Sequence, residues 1–124
     1  STDAAVAAAL AEQPSAPSGP PLTRGEKDAM RVSVQKCWVV DVGSQAANVT
    51  VTVGFAMDRD GKVAGAITLL ASENGTGKAV ETAFQAARRA VLRCQKGGYK
   101  LPIDKYDHWR EIEITFNPEK MRLK

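Results

Sequence analysis

Histidine occurs once in this chain of 124 residues and cysteine twice, and aromatic residues make up only 6% of it. Those scarcities exclude several classes of protein. With His108 as the sole imidazole beside Cys37 and Cys94, a closed zinc site lacks its fourth ligand. The two cysteines lie too far apart for a CxxC redox motif. No stretch approaches the ~20 apolar residues that a transmembrane helix needs, and no signal-peptide pattern is visible. The first residue is Ser rather than Met, from which we expect a processed form or an excised piece whose targeting segment lies outside it. Basic residues never form a run of five, so the net charge of +3 reads as a mildly basic surface rather than a nucleic-acid tract.

What is present divides sharply. Residues 1–21 hold small, polar, Ala and Pro residues plus Val6 and Leu10, whereas large apolar residues begin in earnest at Met30. "DAAVAAALAEQ" (3–13) favours helix but has a thin apolar face, and "PSAPSGPP" (14–21) cannot continue one. We therefore expect 1–21 to be a frayed Ala-rich segment plus a Pro/Ser/Gly linker, largely disordered. Residues 22–124 then form one folded domain of about 100 residues, enough for a real core.

Within that domain, "LTRGEKDAMRVSVQKCW" (22–38) predicts a helix opened by a Thr23/Glu26 capping box, with Met30, Val34 and Cys37 on one face. "NVTVTVGFAMDRDGKVAGAITLLAS" (48–72) predicts a β-hairpin. Val49, Val51, Val53, Phe55 and Met57 share one parity, Val63, Ile67 and Leu69 return on one face, and "DRDG" supplies the turn. "SENGTGK" (72–78) lacks the glycine and hydroxyl positions of a phosphate-binding loop and reads as a turn with Thr76 as a cap. "KAVETAFQAARRAVLRCQKGG" (78–98) predicts a second helix. Its inner face carries Val80, Phe84, Ala87, Val91 and Cys94, and Gly97–Gly98 stop it. "YKLPIDKYDHW" (99–109) reads as a structured connection. "REIEITF" (110–116) is a third strand, with Ile112, Ile114 and Phe116 on one face and Glu111, Glu113 and Thr115 on the other.

Helix, strand, strand, helix, strand predicts an α+β fold of two layers. A three-stranded antiparallel sheet of order 2-1-3 packs against two main helices. Both cysteines fall at inner C-terminal helix ends, which favours a Cys37–Cys94 disulfide in an oxidising compartment. Such a closure stabilises by roughly 4 kcal/mol in the chain-entropy model. Strand three lies at an edge, blunted by charge yet open to an added strand.

The successions "LTRGEKDAMRVSVQKCW", "MDRDGKV", "AFQAARRAVLRC" and "LPIDKYDHWREIEITFNPEKM" resemble the C-terminal domain of TolA in its alphaproteobacterial form, over about residues 20–124. The Ala-rich start and linker resemble the end of that family's helical stalk. The resemblance implies the TonB/TolA C-terminal fold and a periplasmic domain of an inner-membrane-anchored protein. It also implies membrane contact only through segments absent here, and coupling through the missing anchor to TolQ and TolR. It implies no cofactor and a role in outer-membrane integrity and cell division. The implied partners are an extended N-terminal segment of TolB, with Pal, filamentous phage coat protein or colicin as further ligands.

Three functions compete for these residues. The first is a non-enzymatic domain that binds an extended peptide by β-augmentation at strand three. It would act through Arg110, Glu111, Ile112, Glu113, Ile114, Thr115 and Phe116, mainly by their backbone, with Tyr106, His108 and Trp109 flanking as aromatic anchors or packing the loop. The second is an enzyme using His108 with Asp107 or Glu111. Asp107 and His108 would point apart in an extended segment, and no nucleophile stands near, so catalysis is not expected. The third is a basic surface-binding module built on Arg88, Arg89 and Arg93. These are interleaved with acid and lack stacking aromatics, so no nucleic-acid partner is expected. A TonB-like energy-transducing domain contacting outer-membrane receptors is the alternative within the first class.

Overall fold

The computed structural model describes residues 20–40 and 43–118. The expectations for an Ala-rich helix, for most of the Pro-rich linker and for a terminal turn beyond Pro118 lie outside the described residues. Helix α1 (Arg24–Gln35) opens with the expected capping box. The Glu26 N–H donates to Thr23 Oγ1 at 3.1 Å, and the Thr23 N–H donates back to Glu26 Oε1 at 2.8 Å. The helix ends at Gln35, short of the expected Trp38. Cys37 and Trp38 instead donate to Val34 and Gln35 three residues back, a tightened last turn. That turn carries Cys37 to a Cα–Cα distance of 5.8 Å from Cys94, and the two form a disulfide.

A 3₁₀ turn (Gln45–Asn48) leads into strand β1 (Thr50–Met57), which pairs antiparallel with β2 (Val63–Glu73). Helix α2 (Gly77–Arg93) follows. A second 3₁₀ turn (Ile103–Lys105) and a single helical turn α3 (Tyr106–Trp109) come next, and then strand β3 (Glu111–Phe116). The sheet order is β2-β1-β3, all antiparallel, as the strand pattern predicts. Thr76 occupies the α2 N-cap position, but its side chain makes no capping bond. The stretch holding Asp107 and His108 is helical rather than extended, which corrects the expectation that these side chains point to opposite sides of a strand.

The core lies between the sheet and the two long helices. Val49, Val51, Val53, Phe55 and Met57 are all buried, as their parity predicts. Two expectations shift. The buried line of α2 is Ala83, Ala87, Ala90 and Val91, while Val80 and Phe84 pack from its flank. Small residues at the contact let the helix approach the sheet closely. On β2 only Ile67 is buried, and Leu69 is 38% exposed. Leu69 stands opposite core-facing Val53, so its exposure goes with the edge position of β2; register shifts opposite Thr52/Val53 and Gly54/Ala56 flank it, with Gly65 at φ +86° inside one of them.

The hairpin turn and the end of α2 lock together. Gly61 (φ +78°) and Gly98 (φ +89°) both hold left-handed backbone. The Tyr99 N–H donates to the Gly61 carbonyl at 2.7 Å, and the Val63 N–H to Gln95 Oε1 at 2.9 Å. A Cβ on Gly98 would collide with the Asp60 carbonyl, so glycine is required there for space as well as for φ. Tyr99 is buried and its hydroxyl donates to the Val91 carbonyl at 2.6 Å; burial pushes its pKa far above the ordinary phenol value.

Candidate functional site

Antiparallel pairing alternates, so residues of an edge strand point their N–H and C=O groups by turns toward the partner strand and away from it. Two contacts fix which residues of β3 point away. The Met57 N–H donates to the Arg110 carbonyl at 2.8 Å, which makes Met57–Arg110 a hydrogen-bonded position. Stepping by two along the register, Phe55–Ile112, Val53–Ile114 and Val51–Phe116 are also hydrogen-bonded pairs. Between them, Ala56–Glu111, Gly54–Glu113 and Thr52–Thr115 are not. The Gly54 carbonyl agrees, since it faces β2 and accepts from Thr68 Oγ1 at 3.3 Å. So does the Thr52–Thr115 pair, whose hydroxyl oxygens lie 2.9 Å apart as the closer spacing of a non-hydrogen-bonded pair allows. The main-chain groups of Glu111, Glu113 and Thr115 therefore face away from β1, along an edge that no described strand covers.

That edge is anchored at its start. Arg110 donates its N–H to the Tyr106 carbonyl at 2.8 Å, so it cannot also reach Met57. The Tyr106 hydroxyl takes over, donating to the Met57 carbonyl at 2.6 Å. Tyr106 is half-buried, its ring packs edge-to-face on Trp109 at 4.7 Å between centroids, and the Arg59 guanidinium lies 4.6 Å above it. Trp109 is 1% exposed and its Nε1 donates to the Pro102 carbonyl at 2.7 Å. Trp109 therefore packs the 99–109 connection beneath the edge and presents no surface to a partner. Phe116 is fully buried against Trp38 and Ile114 is 8% exposed, so these two offer a partner main chain rather than side chain.

Beside the edge runs an open groove of about 540 Å³ between β3 and α1. Leu22, Met30, Leu101, Ile112 and Ile114 supply its apolar lining, and His108, Glu111, Glu113 and Thr115 line the β3 side. Lys27, Asp28 and Arg31 stand on the α1 side, with Arg31 Nη2 3.1 Å from Asp28 Oδ1. The structure thus brings His108 and the Glu111–Thr115 segment to one groove. The helix-side members Leu22, Met30 and Leu101 escape a reading of β3 alone, although the i, i+4 spacing of Lys27 and Arg31 marks one face of α1. The groove's far wall is held by Glu26. It is the capping-box carboxylate and also accepts from Lys105 Nζ at 2.7 Å, tying α1 to the connection that precedes β3. The Lys105 ammonium first, and the Thr23 N–H second, hold the Glu26 carboxyl below its ordinary value.

Comparison with protein-family models, curated proteins and solved structures returns no match to this chain. Among the described residues, no group of three or more His, Cys, Asp and Glu side chains is arranged to hold a metal, and no helix is long and apolar enough to cross a membrane.

The sheet has a second edge, on β2, and the two differ. The β1–β3 register is uninterrupted from Ala56–Glu111 to Val51–Phe116, so β3 presents its outward groups at even spacing. The β1–β2 register breaks twice, and each bulge twists and interrupts the row of groups on β2. A regular incoming strand has a continuous template only on β3.

Proposed function

We propose that this chain is a non-enzymatic protein-interaction domain that takes an extended segment of a partner as a fourth strand along β3. The observation that carries this reading is the even row of outward main-chain groups at Glu111, Glu113 and Thr115, set beside an open groove with an apolar floor. Main-chain bonds would supply affinity, and the groove would sort side chains. The sequence resemblance extends the proposal to a TolA-type domain on the periplasmic side of the inner membrane. Its partner would be an extended N-terminal segment of TolB, with Pal, phage coat protein or colicin as further ligands. The Cys37–Cys94 disulfide supports an oxidising compartment.

Titration of the ¹⁵N-labelled chain with a synthetic TolB N-terminal peptide tests the proposal. The expected result is the largest shifts, and new protection from hydrogen exchange, at the amides of Glu111, Glu113 and Thr115. Shifts confined to the exposed arginines of α2, with none between residues 110 and 116, would refute it.

A further inference from the structure

We infer that the strand which β3 accepts carries Lys or Arg at alternate positions and apolar residues at the positions between. This inference rests on the strand-addition reading above and specifies the chemistry of its ligand.

The two faces of the β3 edge differ in kind. Glu111 and Glu113 are two residues apart and exposed, so both project from the face of the sheet that the helices leave open. A shallow concavity of about 520 Å³ lies on that face, floored by Gly54, Ala56, Ala66, Thr68 and Leu70. Among the described residues, the two glutamates are the only charged side chains that line it. Neither has an ion-pair partner among the described residues. A residue directly opposite each in an added strand would bring its Cβ within about 5 Å, close enough for an opposite charge to help and a like charge to hurt. The intervening residues of that strand turn to the helix side, where the groove offers Leu22, Met30, Ile112 and Ile114. The alternation of the ligand is set by the pleat, and its two chemistries are set by these two faces.

The chain's net charge of +3 argues the other way but acts at longer range. Arg88, Arg89 and Arg93 belong to α2, in the helix layer on the opposite side of the sheet from Glu111 and Glu113. A Debye length of about 8–10 Å screens them there. On the α1 wall Arg31 is engaged by Asp28, leaving Lys27 at the rim of the apolar side, where it meets no outer-face position. The nearby carboxylates therefore decide the sign on the outer face.

Two N-acetylated, C-amidated peptides, TVKVKVKVT and TVEVEVEVT, test the inference on the full oxidised chain. Kd is read by calorimetry at low and high salt, and the site by amide protection. The lysine peptide is expected to bind roughly tenfold or more tightly at low salt. That preference should shrink at high salt and in the Glu111→Gln/Glu113→Gln double variant, both of which remove the charge term. Equal Kd values with protection at Glu111, Glu113 and Thr115 would overturn the charge inference and leave strand addition standing. A tighter glutamate peptide would overturn it outright. If neither peptide protects these amides the inference falls, and the TolB-peptide titration separately decides whether strand addition falls with it.

Discussion

Replacing Glu113 by proline separates the two sides of β3. The Glu113 N–H belongs to the non-hydrogen-bonded Gly54–Glu113 pair and points away from β1. Proline at an edge position of that kind removes no ladder bond, and its preferred φ is tolerated in edge strands. The expected change in folding stability is about 1 kcal/mol or less. The residue beside it behaves oppositely. Ile114 donates toward Val53 and its side chain is 8% exposed. Ile114→Pro strands a buried carbonyl on β1, at about 1–3 kcal/mol, and truncates a core side chain, for which another 2 kcal/mol is a modest figure. Its total should reach about 3 kcal/mol or more. For binding the order reverses. Glu113→Pro deletes an outward donor worth about 0.5–1.5 kcal/mol and places Cδ where the incoming strand must approach, so the partner peptide should bind at least about tenfold more weakly. Glu113→Ala controls for the lost charge. Urea unfolding followed by the fluorescence of Trp38 and Trp109 reads stability, and peptide titration reads affinity. If Glu113→Pro unfolds as readily as Ile114→Pro, the hydrogen-bond parity of β3 is wrong. If it folds and binds as Glu113→Ala does, β3 is not where the partner pairs.

Reducing the Cys37–Cys94 bond, which spans 57 residues, should cost about 4 kcal/mol by the loop-entropy relation, read as the difference in urea midpoint with and without dithiothreitol. Gly98→Ala should destabilise more than Gly97→Ala. Both hold positive φ, worth about 1–2 kcal/mol against a Cβ, but only at Gly98 does the added carbon meet the Asp60 carbonyl; thermal unfolding ranks the two. Glu26 has its carboxyl pKa lowered by Lys105 and Thr23, so its contribution to stability is complete above its ordinary value near 4.5 and fades as pH falls through the lower, folded value. Glu26→Gln should therefore lower stability at neutral pH and flatten the acid limb of the stability–pH curve, and an unchanged limb would refute the linkage.

Side-chain periodicity carried most of the fold. The parity of Val49 to Met57 and of Ile112 to Phe116 determined which faces are buried, and the Thr23/Glu26 pair marked the start of α1. What periodicity could not carry was anything set by a partner distant in the chain. Leu69 keeps its core-side parity, opposite Val53, yet is 38% exposed because β2 forms an edge of the sheet. Trp109 resembled an interface anchor in sequence because aromatic residues serve both roles. Its burial follows from the Pro102 carbonyl and the Tyr106 ring, which only the helical turn brings to it.

The hydrogen-bond parity of β3 is the most consequential fact of this kind. Alternating Ile and Glu specify which side chains face the core, but which amides face out follows only once the side on which β1 lies is known, because the chirality of L-residues ties each residue's side-chain face to the direction of its N–H and C=O. The ladder closes at the start of the strand. Arg110 spends its N–H on Tyr106 and gives its carbonyl to Met57, while the Tyr106 hydroxyl satisfies the Met57 carbonyl in its place. One phenol thus ends the ladder on the side from which Glu111, Glu113 and Thr115 face away. A Tyr106→Phe substitution tests that reasoning directly. It leaves the Met57 carbonyl without its donor, at about 1–3 kcal/mol. If the Arg110 N–H turns to fill the vacancy, exchange protection should persist at Arg110 while the outward amides of Glu111 and Glu113 stay as fast as before. Protection moving to the Glu111 or Glu113 amide instead would overturn their assignment as outward groups.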